Sequence, residues 1–426
     1  MNFLIIFVGK LFSSFIRLLN LGNGSTWPGH IALILNPNFI EETLSKSKVK
    51  KVVIIGTNGK TTTSKLIRTI FKANKSKSVY NMSGANLLNG IASSIIISSK
   101  FDGELKKDFA LFEIDENAFP LVSEKIKPDF VIALNLFRDQ LDRYGEIDQI
   151  SSNWKRVIDK LDDTVLILNS DDPQIAFLGK ERKKNVCYFG LEEKTLEKNV
   201  LQHGADSILC PKCSSNLNFS SYYFSHLGHW KCPNCKFTRP KPDLSKLSYY
   251  PLKGTYALYD ILAAVLFAQV AGIKKSVIES ALKEFKPAFG RQETLNYMGK
   301  EVQIFLSKNP ISFNESLSTV KSLGGKNIVI VLNDKIPDGL DVSWIWDIDF
   351  ENILTKDINI IVTGERMYDM AVRLKYAGFF AHVSSDMKLS IDKMIENLSD
   401  NEKLYILPNY SAMLEVRQLL TGKKIL

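Results

Sequence analysis

The sequence predicts an α/β protein with two sheet-containing domains, and three observations lead to that prediction. Short apolar runs alternate with helix-like stretches, one run leads directly into a glycine-rich loop, and a cysteine-bearing insertion interrupts the alternation. Alternating strands and helices are typical of doubly wound folds with parallel sheets. A chain of 426 residues with 45% apolar and 24% charged residues can bury such sheets, and this composition excludes wholesale disorder and a collagen-like fibre.

The predicted organisation has three parts. Residues 1–49 form an N-terminal helical segment that leads into a central domain at 50–292, and residues 293–426 form a Rossmann-like α/β domain. The central domain carries the insertion at about 200–245, and a hinge is predicted at 286–291. The predicted strands are 50–56, 109–114, 130–136 and 164–169 in the central domain, and 301–306, 327–332, 358–362 and 404–407 in the C-terminal domain.

The N-terminal segment predicts an amphipathic helix. Residues 3–19 repeat apolar side chains at helical spacing, and Lys10 interrupts an initial apolar run that is too short for the ~20 residues of a membrane span. Such a helix either packs on its own protein or also rests on a membrane surface. No other segment reaches the length of a membrane span, so we expect a cytoplasmic protein.

Four of the five cysteines predict a structural zinc site. They form two C-x2-C pairs, at Cys210 and Cys213 and at Cys232 and Cys235, and 18 residues separate the pairs. Each pair directs two thiolates at one point, and two pairs complete a tetrahedral shell without a position for water. His226 and His229 lie between the pairs and could replace a cysteine, but with four thiolates present we expect them to be bystanders.

The glycine-rich loop predicts a phosphate-binding site. It reads Gly56-Thr57-Asn58-Gly59-Lys60-Thr61-Thr62, follows a predicted strand and opens a predicted helix. Glycines allow backbone N–H groups to approach phosphates, and the helix N-terminus adds free donors. We expect Lys60 to contact the β- and γ-phosphates of a nucleotide, and the Thr61 hydroxyl to bind Mg²⁺.

Polar residues follow two neighbouring predicted strands. Glu113, Asp115 and Glu116 follow the apolar stretch 109–112 of one strand, and the string 135–146, which begins with Asn135, follows the stretch 130–134 of the next. Because the carboxyl ends of parallel strands meet at one edge of the sheet, we expect these residues to converge on the phosphate loop. Glu113 is the predicted Mg²⁺ ligand, directly or through water.

The charge of +9, from 55 basic and 46 acidic residues, favours anionic partners without choosing among them. A nucleotide-dependent nucleic-acid-binding protein is one alternative, because the insertion contains basic side chains. Those are Lys212, Lys231, Lys236 and Arg239. They lack the clustered aromatic and basic pattern of a nucleic-acid reader, so no nucleic-acid partner is expected.

Several motifs together resemble the ATP-dependent Mur ligase superfamily. The loop at 56–61 resembles its phosphate loop, the segment 169–173 resembles its Asn-x-Asp-Asp-Pro turn, and Gly290-Arg291-x-Glu293 resembles its Gly-Arg-x-Glu segment. The resemblance implies that Arg291 contacts the nucleotide. It also implies a Mur-ligase-like central domain that uses ATP and Mg²⁺.

The chain resembles one branch of that superfamily more narrowly, the MurT subunits of lipid II isoglutaminyl synthase. The string 135–146, the four-cysteine insertion, and the segments 308–310 and 338–347 carry this likeness. One departure concerns Ala257 and Asp260, which stand where the family has asparagines that contact the nucleotide base.

The resemblance implies amidation in peptidoglycan synthesis. ATP would phosphorylate the α-carboxylate of D-glutamate in the stem peptide of lipid II, at the inner membrane surface, and ammonia would then displace the phosphate. Because Cys187 reads as a buried-strand cysteine without elbow glycines, this chain has no credible glutaminase site. A separate, GatD-like glutaminase subunit would supply ammonia in a heterodimer.

The resemblance also implies that one aspartate of this chain orients the catalytic histidine of that partner. Asp347 is the first candidate and Asp349 the second, in a segment with two tryptophans of the kind enriched at interfaces. Alternatively, both aspartates cap a helix that starts near Asp349. The alternative function is a Mur-type or folylpolyglutamate-type ligase, which joins an amino acid directly to a carboxylate.

Overall fold

The computed structural model describes residues 2–18, 26–81, 84–138, 147–201 and 205–422. Its N-terminal segment is helical, as predicted, with three helices that pack on one face of the central sheet. These are α1 (Asn2–Leu18), α2 (Trp27–Leu35) and α3 (Phe39–Ser45). Within the described part of the chain, no helix is both long and apolar enough to cross a bilayer.

The central sheet has six parallel strands in the order β2-β3-β1-β4-β5-β6. The strands are β1 (Lys50–Ile55), β2 (Ser78–Tyr80), β3 (Phe109–Glu113), β4 (Phe130–Ala133), β5 (Val165–Asn169) and β6 (Val186–Phe189). All four strands predicted for this domain are confirmed. The alternation of apolar runs and helical stretches therefore identified the parallel sheet correctly.

Helices cover both faces of this sheet. They are α4 (Lys60–Ala73), α5 (Leu88–Ser98), α6 (Phe119–Ile126), α7 (Ile147–Ile158), α8 (Pro173–Leu178), α9 (Thr255–Val270) and α10 (Lys275–Lys283). Helices α4, α9 and α10 share one apolar core with the sheet, whereas α1–α3 and α5–α7 share the core on the other face. Since both faces are covered, the strands are apolar throughout and only the carboxyl edge is free for polar loops.

The insertion contains an antiparallel hairpin, β7 (Asn218–Phe224) and β8 (Leu227–Lys231), which docks on the turn that follows β5. The indole of Trp230 donates to the carbonyl of Ser170 at 3.2 Å. The guanidinium of Arg239 donates to the carboxylate of Asp171 at 2.7 Å. Arg239 therefore points into the protein, away from any external anion.

The C-terminal domain has a second six-stranded sheet in the order β13-β12-β11-β14-β10-β9. Its strands are β9 (Arg291–Tyr297), β10 (Lys300–Phe305), β11 (Asn327–Val331), β12 (Asn359–Thr363), β13 (His382–Val383) and β14 (Leu404–Pro408). Its helices are α11 (Pro310–Ser322), α12 (Phe350–Ile353), α13 (Met367–Tyr376), α14 (Met387–Glu396) and α15 (Tyr410–Thr421). The four strands predicted for this domain are confirmed.

Two strands of the second sheet, β9 and β13, were not predicted. Strand β9 pairs antiparallel with β10, so a hairpin precedes the first predicted strand. The hairpin turns through Met298 and Gly299, which both have positive φ angles. This hairpin begins at Arg291, and it therefore fixes that arginine at the junction between the two domains.

Candidate active site

The phosphate loop lies between β1 and the N-terminus of α4, where its glycines are required sterically. Gly59 has φ +91°, and a Cβ atom there would lie 2.0 Å from a carboxylate oxygen of Asp260. Gly56 has φ +138°, and a Cβ atom there would lie 3.0 Å from the carbonyl oxygen of Asn135. Other residues rarely adopt these φ values, so the loop keeps its shape only with glycine at both positions.

Lys60 and Thr61 each contact a carboxylate from the β3 end. The Lys60 ammonium donates to Glu116 Oε1 at 2.9 Å and also to the carbonyl of Gly56. The Thr61 hydroxyl donates to Glu113 Oε2 at 2.7 Å. Both carboxylates are buried. A hydroxyl and a carboxylate at this spacing are the oxygen ligands that Mg²⁺ takes beside a nucleotide, so the pair fits the expected ion.

Asn135 supports the loop from the end of β4. Its side-chain oxygen accepts from the N–H of Asn58 at 2.9 Å, and its amide nitrogen donates to the carbonyl of Asn58 at 3.1 Å. The Thr57 hydroxyl exchanges hydrogen bonds with the backbone N–H and carbonyl of Phe137. Asn135 and Thr57 therefore shape the loop. The rest of the predicted polar string, 139–146, lies outside the described residues.

The two domains face each other across a cleft beside the loop. One narrow cavity runs between the loop and the C-terminal domain, and its polar lining includes Tyr256, Asp260, Arg291, Gln292 and Glu315. A second, wider cavity contains Lys60, Thr61, Glu113 and Glu116 on one side. Lys308, Asp338 and Tyr410 line its other side.

Arg291 and Lys308 line both cavities, so they lie where a polyphosphate would bridge them. Asn309 also reaches the loop, since its amide donates to the side-chain oxygen of Asn58 at 3.4 Å. Asn309 begins α11 as its N-cap, with a reciprocal capping box to Ser312. The motif that contains Lys308 thus holds a C-terminal helix against the phosphate loop, a role that the sequence did not indicate.

Asp260 is a buried acid at this site. It is 3% exposed, and its Oδ2 atom has no hydrogen-bond partner among the described residues. Burial raises the pKa of Asp260 to about 7, although the positive charge of Arg291 opposes the shift. A carboxyl group with this pKa is neutral over much of the range in which ordinary aspartates are ionised.

We expect Asp260→Asn to remove a pH dependence of stability. Because the folded pKa of about 7 lies above the ordinary value of 3.8, the folded state holds the proton more tightly. The free energy of unfolding of the parent should therefore fall by an amount on the order of a few kcal/mol as pH rises from 3.8 to about 7. Above the folded pKa it should stay at the lower value. Asparagine has no such proton. Urea unfolding of both proteins at about pH 5 and about pH 8 measures the difference, and parallel pH profiles would contradict it.

The four predicted zinc ligands converge. Their Sγ atoms all lie within 4.8 Å of one another, with Cys210 and Cys235 3.6 Å apart and Cys213 and Cys232 3.5 Å apart. A tetrahedral zinc ion with Zn–S distances near 2.3 Å separates its sulfurs by about 3.8 Å, so the cluster fits zinc. Neither histidine joins it.

Those two histidines have other neighbours. His226 is fully buried, 3.5 Å from Asp172 and in contact with the ring of Phe137. His229 makes a 3.2 Å hydrogen bond with the hydroxyl of Tyr223. Both therefore belong to the packing of the hairpin against the central domain.

The turn at 169–173 joins the insertion to the site. Asp171 accepts from the hydroxyl of Tyr259 at 2.6 Å and from Arg239 at 2.7 Å. Asp172 caps α8 by accepting from the N–H of Gln174, and it also accepts from the N–H of Leu136. Since Leu136 follows Asn135, the turn holds the segment that supports the phosphate loop.

The structure separates the two candidate aspartates. Asp349 is 2% exposed and exchanges hydrogen bonds with the side chain of Asn314, so it is not available to a partner in this conformation. It lies at the N-cap of α12 without a side-chain capping bond. The side chain of Asp347 is 44% exposed, and its carboxylate lies 3.9 Å from the guanidinium of Arg138 in the central domain. Beside it, Trp346 is 49% exposed.

Comparison with known proteins identifies the family. A model described as the Mur ligase middle domain matches residues 54–235, and one described as the MurT ligase C-terminal domain matches residues 306–413. The chain is 33% identical to the MurT subunit of lipid II isoglutaminyl synthase (glutamine-hydrolyzing) from Streptococcus pneumoniae, over 97% of this chain and 96% of the relative. The chain belongs to the MurT family. The MurT subunit from Staphylococcus aureus is 32% identical, over 92% of this chain and 91% of the relative.

Solved structures agree with the MurT assignment at the level of the fold. The pseudomurein peptide ligase type C from Methanothermus fervidus has a TM-score of 0.67 at 22% identity, over 90% of this chain and 81% of that one. MurF from Acinetobacter baumannii has a TM-score of 0.63 at 15% identity, over 90% and 78%. The predicted Mur-ligase-like α/β fold is thereby confirmed, as is the resemblance to MurT subunits.

Proposed function

We propose that this MurT family member is the ATP-dependent amidating subunit of a lipid II isoglutaminyl synthase. The observation that carries the proposal is that Lys60, Thr61 and Glu113 line one cleft. The chain's relatives bear the name of that enzyme. The substrate is the α-carboxylate of D-glutamate in the lipid II stem peptide. The product is D-isoglutamine.

The chemistry needs an activated carboxylate, because a free carboxylate oxygen is a poor leaving group. An oxygen of the carboxylate attacks the γ-phosphorus of ATP, the bond between that phosphorus and the bridging oxygen breaks, and ADP leaves. Ammonia then attacks the carbonyl carbon of the acyl phosphate. Phosphate departs with its bonding electrons, and the nitrogen loses a proton, which leaves the amide.

The side chains of the cleft suit the first of these steps. Thr61 and Glu113 would hold Mg²⁺, which neutralises charge on the β- and γ-phosphates when bound. Lys60 would exchange its contact with Glu116 for the phosphates. Arg291 and Lys308 would stabilise charge on the transferred group from the C-terminal domain. Their convergence also supports Gly56, Thr57, Asn58, Gly59, Thr62 and Asn135 as parts of the ATP site, by shaping the loop.

The ammonia source is proposed to be a separate, GatD-like glutaminase subunit in a heterodimer. Cys187 is the one cysteine outside the four-thiol cluster. It is half-buried on the edge strand β6, where burial and the charge of Asp243 raise the pKa of its thiol. A raised pKa disfavours the thiolate that glutamine hydrolysis requires, so Cys187 is unsuited to that reaction.

We also propose that the four cysteines hold a structural zinc ion. The closed set of thiols leaves no open coordination position, and two of the four, Cys210 and Cys232, are buried. Such a site stabilises a fold and does not take part in the reaction.

A lipid-linked acceptor further implies that the enzyme works at the inner face of the membrane.

The direct test uses the purified chain with Mg-ATP and lipid II, with ammonium as the sole nitrogen donor. The proposal expects ammonium-dependent formation of ADP and of an amidated stem peptide, detected by mass spectrometry. The alternative, a Mur-type or folylpolyglutamate-type ligase, expects turnover with a free amino acid and none with ammonium. That second result would refute amidation.

Replacing Asp347 tests its proposed role at the glutaminase. Because the side chain of Asp347 is partly exposed and can be reached by a partner, we expect Asp347→Asn to lower glutamine-dependent amidation by the heterodimer at least about 10-fold while sparing ammonium-dependent amidation. Both activities should be measured on the same preparation. The matched control is Asp357→Asn, an exposed acid just before β12, at the opposite end of the sheet strands. An equal loss of both activities would assign Asp347 to the ligase site or to folding.

A further inference from the structure

Helix α1 exposes an apolar face that the fold does not use. Ile5 and Ile6 are buried against the central domain, and the opposite side of the helix is expected to be polar in a helix that only packs on its own protein. Instead, that side carries five apolar residues that are each 40–62% exposed. They are Phe3, Leu4, Phe7, Val8 and Leu11.

A neighbouring loop extends this face. Phe101 is 58% exposed, and its ring lies 6.2 Å from that of Phe7, which in turn lies 6.4 Å from Phe3. The ammonium of Lys10 lies 4.7 Å from the centre of the Phe101 ring. We call these residues, Phe3, Leu4, Phe7, Val8, Leu11 and Phe101, the α1 apolar face. A contiguous exposed patch of this kind marks a binding surface.

The charged residues of α1 and of the neighbouring segment 99–107 are mainly basic in sequence. The sequence of α1 contains Lys10 and Arg17 and no acidic residue. The loop segment 99–107 adds Lys100, Lys106 and Lys107 against Asp102 and Glu104. An exposed apolar face next to predominantly basic residues is what an amphipathic element needs to insert into the headgroup region of an anionic bilayer.

The face is also connected to the cleft. Helix α1 packs on α5, since a Cβ atom added at Gly9 would lie 2.9 Å from Ile96. At the other end of α5, Leu87 lines the wide cavity that contains Lys60 and Thr61. The 11 residues of α5 span about 16 Å, so one short helix connects the apolar face to the reaction site.

We propose that the α1 apolar face docks on an anionic lipid surface and holds the cleft next to a membrane-anchored acceptor. The proposal rests on the proposed function, because docking on a membrane helps the reaction only if the substrate is itself anchored in that membrane. Docking confines enzyme and substrate to the same surface, so encounter no longer depends on diffusion from solution. The predominantly basic residues of α1 and of segment 99–107 favour binding to an anionic bilayer over a neutral one.

The test is co-sedimentation of the full chain with vesicles that contain no lipid II. The parent should sediment with phosphatidylglycerol vesicles and much less with phosphatidylcholine vesicles. The double variant Phe7→Gln, Leu11→Gln should lose at least about 10-fold in partitioning. Phe380→Gln is the matched control, because Phe380 is 88% exposed in the C-terminal domain and should have no effect.

Three outcomes would overturn the proposal: no sedimentation of the parent, equal sedimentation of the double variant, or loss of a protein complex by the double variant in gel filtration. The third would make the face a protein interface. ADP formation with ammonium and a water-soluble stem-peptide acceptor should be equal in parent and double variant. Absence of that activity in the parent would refute the proposed function and leave the vesicle result to stand independently.

Discussion

Replacing Lys60 by alanine is expected to lower ammonium-dependent ADP formation by roughly 10²–10³-fold while the protein stays folded. The side chain lies at the start of α4, and its ammonium is already inside the cleft, held by Glu116 at 2.9 Å. Without it, the negative charge on the transferred phosphoryl group loses a compensating cation, and Glu116 is left as an uncompensated buried acid. Coupled-enzyme measurement of ADP gives the rate, and circular dichroism checks the fold.

Two companion variants make this experiment specific. Lys72→Ala removes a lysine from the last turn of the same helix and should leave the rate unchanged. Thr61→Ala should act like Lys60→Ala, whereas Thr61→Ser retains the hydroxyl that contacts Glu113 and should keep most of the activity. An undiminished rate for Lys60→Ala would mean that the loop does not bind the phosphates that react.

If the four cysteines hold zinc as proposed, replacing Cys210 by serine is expected to lower the zinc content and to destabilise the central domain by several kcal/mol. Cys210 is buried, and its thiol lies 3.6 Å from that of Cys235. Loss of one thiolate from a closed four-thiolate shell leaves the ion without a tetrahedral site. Metal analysis and thermal unfolding measure the two effects.

The control for this variant is Cys187→Ser, which changes the one cysteine that stands outside the cluster. It should retain the zinc content of the parent. Unchanged zinc in Cys210→Ser would refute the metal site. Zinc lost equally from both variants would show that the metal is held non-specifically by thiols.

Unfolding of the insertion should also disturb the phosphate loop. The insertion holds the turn at 169–173 through Trp230 and Arg239, and Asp172 in that turn accepts from the N–H of Leu136. The neighbouring Asn135 in turn holds Asn58 in the loop. Weaker nucleotide binding in Cys210→Ser is therefore an expected consequence, although no zinc ligand lies in the cleft.

The geometry of the candidate phosphate loop could be predicted from sequence because its determinants are local. The loop follows a strand and precedes a helix. Because parallel strands end at one edge of a sheet, the sequence alone predicts that Glu113 lies near Thr61, and the structure places the two in contact. The cysteine spacing worked for the same reason, since each pair forms a compact unit whose geometry hardly depends on the rest of the chain.

Other features depend on contacts between distant residues, which the sequence does not display. Asp347 and Asp349 look equivalent in the sequence, and only the packing of Asn314 against Asp349 shows which is buried. Strand β9 was missed because its residues alternate between partly buried and exposed positions and form no apolar run. The supporting roles of Asp171 and Asp172 likewise arise from partners more than 20 residues away.

The most direct test of the central claim follows the oxygen of the acceptor carboxylate. Lipid II whose D-glutamate α-carboxylate carries ¹⁸O at both oxygens would be amidated with ammonium and ATP, and the released phosphate would be examined by phosphorus NMR. Transfer of the γ-phosphoryl group to that carboxylate predicts one ¹⁸O atom in each released phosphate. Amidated product accompanied by unlabelled phosphate would contradict the acyl phosphate and, with it, the role assigned to the cleft.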